Sequence, residues 1–196
     1  MRTRAWMLAG VCLLALCFAA PSLSAAEDAY DLRSVKWGMS REEVKKAERS
    51  APVMESDNLI VFNDKIFDKN IQVAYAFVDN KLWKVRYFLV DIHTNKNDYI
   101  SDYEEFVEAL ISKYGKPKQS KVLWKNNTYA EDKQNHGLAV SMGHLALFSA
   151  WDTAKTTVFC FIDGENFNVN VRIDYESSEL RDLAIKQKKD EEKGKL

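Results

Sequence analysis

"IQVAYAFVDNKLWKVRYFLV", residues 71 to 90, decides the fold. Ile71, Val73, Tyr75 and Phe77 alternate with Gln72 and Ala74, Asp79 and Asn80 interrupt, and Trp83, Val85, Tyr87 and Leu89 then alternate again. A period of two broken by a short polar pair predicts a β-hairpin with one face buried. Leu82, Phe88 and Val90 stand opposite Trp83, so the alternation leaves open whether the second face is also covered or keeps an exposed aromatic patch.

Outward from this hairpin, "NLIVF" at 58 to 62 reads as another strand. Further upstream, "SVKWGMSREEVKKAE" at 34 to 48 starts a helix. Ser40 as N-cap and Glu43 three residues on form a capping box, and Met39 with Val44 forms the hydrophobic staple across it. That helix buries Val44 and Ala47 and ends by Pro52. Downstream, "NDYISDYEEFVEALISKYGKP" carries Tyr99, Tyr103, Phe106, Val107, Leu110, Ile111 and Tyr114 at helical spacing, closed by Gly115 and Pro117.

The run "LAVSMGHLALFSAW" at 138 to 151 predicts a strand pair broken near Gly143. "TTVFCFIDGENFNVNVRIDY" at 156 to 175 predicts a second hairpin turning at Asp163-Gly164, after which Phe167, Val169, Val171, Ile173 and Tyr175 alternate with polar residues.

The two halves correspond. Helix then strands occurs twice, with "EEV" at 42 and "EEF" at 104 inside the helices. The prediction is one α+β domain over 35 to 180, two degenerate helix-plus-antiparallel-strand units sharing one sheet with the helices on one face. Unit one spans about 35 to 92, and unit two about 97 to 176 with an insertion at about 118 to 150. The C-terminal stretch from Ser177 has one apolar turn at Leu180, Leu183 and Ala184, and the tail, 181 to 196, then becomes charge-dense, which predicts fraying into solvent.

The chain opens with Arg2 and Arg4, an uncharged apolar run from 5 to 20, Pro21, and small residues to Ala26. That order predicts a secretory signal over 1 to 26, cleaved near Ala26, followed by a linker at 27 to 34. Cleavage removes Cys12 and Cys17 and leaves Cys160 alone, with 26 basic against 29 acidic residues and a charge near −3. Export without an internal disulfide points to a periplasmic or secreted protein, and the charge balance gives no support for nucleic-acid binding.

"GMSREEV" at 38 to 44 resembles the helix start of a cell-envelope family typified by small outer-membrane assembly lipoproteins and the β-lactamase inhibitor protein. "YGKP" at 114 to 117 is similar to that family's helix closure. In this chain the start belongs to the first unit and the closure to the second, while the first helix ends "ERSAP". The resemblance implies helical segments packed on an antiparallel sheet, and an exported, non-catalytic binding role.

Candidate chemistry is sparse. His93, His136 and His144 show no metal-ligand spacing, and Cys160 lies between Phe159 and Phe161 on the side of Val158 and Ile162, where an inert buried thiol is expected. Glu42, Glu43, Glu104 and Glu105 sit early in helices, where negative charge favours the helix dipole. No phosphate-cradling or nucleophile motif is present, so no catalytic residue, cofactor or metal is assigned.

The segment 113 to 125 holds Lys113, Lys116, Lys118, Lys121 and Lys125 with Trp124 and no acid. It suits an acidic partner or an anionic membrane surface, or is a solvated loop after a helix. The expected function is a non-catalytic envelope binding or adaptor protein, with a protein partner held by the sheet face or the insertion. A lipid or small-molecule carrier with an apolar pocket between helices and sheet is the alternative.

Overall fold

The computed structural model describes residues 31–194, so the predicted leader, with Cys12 and Cys17, lies outside the described residues. The elements run α1 (Arg41–Ala47), β1 (Met54–Ser56), β2 (Leu59–Ile66), β3 (Lys69–Val78), β4 (Lys81–Leu89), α2 (Asn97–Tyr114), β5 (Gln119–Trp124), α3 (His136–Ser141), β6 (Leu145–Asp152), β7 (Thr156–Glu165), β8 (Asn168–Ser177) and α4 (Arg181–Lys193). The strands form one eight-stranded sheet in the order β1-β2-β3-β4-β8-β7-β6-β5, antiparallel throughout. A helix followed by a four-stranded meander therefore occurs twice, and the two meanders meet edge to edge through their last strands.

Local chemistry sets most of these elements. The Ser40 and Glu43 capping box starts α1, and Val44 is fully buried. Three hairpins turn on two residues with positive φ, Phe67-Asp68, Asp79-Asn80 and Asn166-Phe167, the requirement of a type I′ turn matched to strand twist. Helix α2 buries Tyr99, Asp102, Tyr103, Phe106 and Leu110. Tyr103 Oη lies 3.0 Å from Ser149 Oγ, and Trp151 Nε1 donates to the Gly115 carbonyl at 2.9 Å, which ties the body and the C-terminal end of the helix to β6. Side chains of α1, α2 and α3 share one core with Tyr75, Leu82, Val85, Val158, Cys160 and Ile162 from one sheet face.

The meanders join at five residue pairs between β4 and β8. On the helix side Val85, Tyr87, Ile173 and Tyr175 are buried, with the Tyr87 and Tyr175 rings 5.4 Å apart. On the outer side Asp174, only 4% exposed, receives a two-pronged guanidinium contact from Arg86, and Lys84 bridges Asp174 at 2.9 Å and Glu176 at 2.8 Å. Burial works to raise the Asp174 carboxyl, but the Arg86 and Lys84 contacts outweigh it and hold it below the usual aspartate range.

Several expectations need correction. The run at 138 to 151 is not a strand pair: 136 to 141 form α3, and only one strand, β6, follows. Asn97 Oδ1 accepts from the Gly137 amide at 2.7 Å, and a Cβ on Gly137 would lie 2.3 Å from the Lys96 carbonyl carbon. The second hairpin does not turn at Asp163-Gly164. Gly164 lies inside β7, where a Cβ would meet the Val140 oxygen at 2.5 Å, so this glycine serves the approach of α3. Trp83 leaves the Val85 face because a bulge at Ala76/Phe77 makes it the extra residue of β4, turned with Lys84 to the outer side.

The predicted insertion at 118 to 150 contains two sheet strands, and only 125 to 144 is additional, in the place where the first unit has the turn at 57 and 58. The predicted linker is partly structural, since Leu32 is buried and Arg33 pairs with Asp64 at 2.5 Å. The tail does not fray at its start. Rich in helix-forming residues, it makes α4, which buries Ala184 against the outer side of the sheet and ties Arg181 to Glu176 at 3.3 Å. Three helices share one face and α4 takes the other.

Replacing Asp174 by alanine leaves Lys84 and Arg86 without their shared anion, and should lower unfolding free energy at neutral pH by about 3 kcal/mol. Because the folded carboxyl titrates below its unfolded value of about 4, its contribution is complete above that pH and is lost as pH falls through the folded value. Denaturant titrations of both proteins from neutral to acid should therefore show the gap narrowing only below about pH 4. A gap independent of pH would contradict the assignment.

Candidate functional site

On the outer face, alternation sends Phe148 of β6 and Phe159 and Phe161 of β7 away from the helices, while Ser149, Cys160 and Ile162 point inward. The three rings form one cluster, with centroids 5.3 Å apart for Phe148 and Phe161, 5.8 Å for Phe159 and Phe161 and 6.2 Å for Phe148 and Phe159. Each ring is half-buried. Arg172 of β8 lies 4.6 Å over Phe161 and is held there by Asp163 at 2.7 Å. Arg181 lies 5.9 Å over Phe159, and Arg86 lies 5.4 Å over Phe88.

Aromatic faces overlaid by guanidinium groups, beside the Lys84, Arg86, Asp174 and Glu176 network, make an amphipathic platform. Such a surface can take up apolar side chains and exchange hydrogen bonds along its charged border. The sequence carried a signal for it in the alternation of Phe159, Cys160 and Phe161. The contribution of Phe148 and the arginine overlay depended on strand order.

The basic segment does not gather into one site. Lys113 is in the last turn of α2 and lies 5.0 Å over Tyr114, Lys116 is exposed after Gly115, and Lys118 is paired with Asp152 at 2.7 Å. Lys121 is on β5 opposite Phe148. Trp124 packs edge-on to His136 at 5.2 Å on the helix side, and the Lys125 amide donates to the His144 carbonyl at 2.7 Å. The lysines are spread from the last turn of α2 to the far end of β5, and the tryptophan is committed to packing.

His93 Nε2 lies 2.6 Å from Asp102 Oδ2, beside Tyr99, while His136 and His144 belong to the insertion with Trp124 and Tyr129. Among the described residues no three His, Cys, Asp or Glu side chains are grouped to hold a metal ion. Between helices and sheet the space is filled by buried side chains. One cleft instead lies between α4 and the outer face, lined by Leu59, Ala76, Val78, Trp83 and Ala184, and another lies beside the end of α1 at Arg33, Glu48, Arg49 and Asp64.

Burial pushes the Cys160 thiol well above its ordinary value, with only partial relief from Arg172. Cys160 should therefore resist an alkylating reagent until the domain unfolds, its modification rate following global opening across a denaturant series. Rapid labelling of the folded protein would contradict that environment. Comparisons with protein-family models, with curated proteins and with solved structures found no match.

Proposed function

We propose that this chain is an exported, non-catalytic binding or adaptor protein of the bacterial cell envelope that engages a protein partner through the outer face of its sheet. The observation that carries this reading is the half-buried Phe148, Phe159 and Phe161 cluster overlaid by Arg172 and Arg181 on the face opposite α1, α2 and α3. Aromatic residues and arginine concentrate binding energy at protein interfaces because they bury large rigid surface at small entropic cost. The nearby ion pairs supply a border that favours one register of docking over another.

Recovery of tagged protein from the envelope fraction of its own host tests this reading. The wild type should retain a protein partner in stoichiometric amount. The Phe159→Ser/Phe161→Ser variant should bind that partner about a hundredfold or more weakly, as expected when two interface anchors are removed. Substituting Lys113, Lys116 and Lys125 by glutamine should change little. Undiminished partner binding by the phenylalanine variant, or a retained lipid in place of a protein, would overturn the proposal.

A further inference from the structure

Five exposed apolar side chains from four segments stand at one end of the sheet. Gln72 and Arg172 both pair with Phe88, and Phe67 and Phe167 each lie five residues beyond those partners. The β2-β3 and β7-β8 hairpins therefore project to one level, about 17 Å past that pair, with β3 and β8 about 10 Å apart on either side of β4. Phe67 is 52% and Phe167 62% exposed, and Ile92, 90% exposed, follows Val90 where the chain leaves β4 between them. Met142 is beside the second tip, because the Phe167 amide donates to the Ser141 carbonyl at 2.9 Å.

Both phenylalanines occupy turn positions with positive φ, 51° and 63°, where asparagine, aspartate and glycine are accommodated most easily. Neither local turn chemistry nor core packing accounts for a large exposed ring at such a place. The exposed side chains are on separate tips, and polar residues such as Asp68, Asn70, Asn166 and Asn168 lie between them. A rigid protein partner would need a separate pocket for each tip, whereas a lipid surface yields to each side chain independently. Charges nearby are interleaved, with Lys65 between Asp64 and Asp68 in the chain and Lys69 tied to Asp102 and Glu105. A neutral rim fits zwitterionic headgroups better than a strongly anionic surface.

We propose that the paired hairpin tips, Phe67 and Phe167 with Ile92 between them, insert into the surface of a lipid bilayer and set the sheet upright on it. This end of the molecule is distinct from the outer-face platform, so either assignment can fail without the other.

The test is amide-resolved NMR of the protein with phosphatidylcholine nanodiscs carrying a paramagnetic lipid, accompanied by vesicle sedimentation. Signals of 66 to 68, 90 to 93 and 165 to 168 should broaden most. Phe67→Asn/Phe167→Gly, which places favoured residues in both turns and so keeps the fold, should bind phosphatidylcholine vesicles about tenfold or more weakly. Adding phosphatidylglycerol or salt should change wild-type binding little. Absence of broadening, broadening centred on 113 to 125 or elsewhere off the rim, or unchanged binding by the double variant would overturn the proposal.

Discussion

Antiparallel pairing of β4 with β8 is the constraint on which this structure depends. A single four-stranded meander with one helix would leave a strand edge open on each side and cover only part of its apolar face. Joining the last strands removes two of those edges and makes the helix-side residues of both halves neighbours in one core. The join is short, five residue pairs, and its faces differ in chemistry. Tyr87 and Tyr175 close the helix side, with burial raising the Tyr87 phenol to about 12, while the carboxylate of Asp174 satisfies two cations on the other.

That asymmetry has consequences for the whole sheet. An ion-paired centre leaves the outer face only partly covered, by α4, and Arg172 of the same strand as Asp174 lies over Phe161 one strand away. The same pairing fixes the vertical register of the two halves, which brings the hairpin tips to a common height. The platform and the rim thus both follow from one set of strand alignments, although they face in different directions.

Much of this was legible from periodicity. The 71 to 90 hairpin, the α1 cap and the long α2 each combine apolar spacing with a strong local signal, and each forms as expected. The failures have identifiable causes. Asp163-Gly164 has the composition of a turn, but the glycine answers a tertiary need, the approach of Val140, while an asparagine and a phenylalanine make the turn. Helix α3 lies in an apolar run too short for periodicity to separate helix from strand. Helix α4 looked like a solvated tail because its charge masked the small face around Ala184. The outer-face cluster was only half legible, since its members lie on non-adjacent stretches, and the lysine segment, compact in sequence, runs from the last turn of α2 to the far end of β5.

Amide hydrogen exchange on the native protein examines the central claim most directly. If the β4-β8 seam holds the two halves as one unit, amides within 84 to 88 and 172 to 176 that bond across it should be among the slowest to exchange. They should open with the same free energy as the centres of β3 and β7, and denaturant should shift all of them together. Seam amides that exchange by a low-energy local opening, while either half remains protected, would contradict the account.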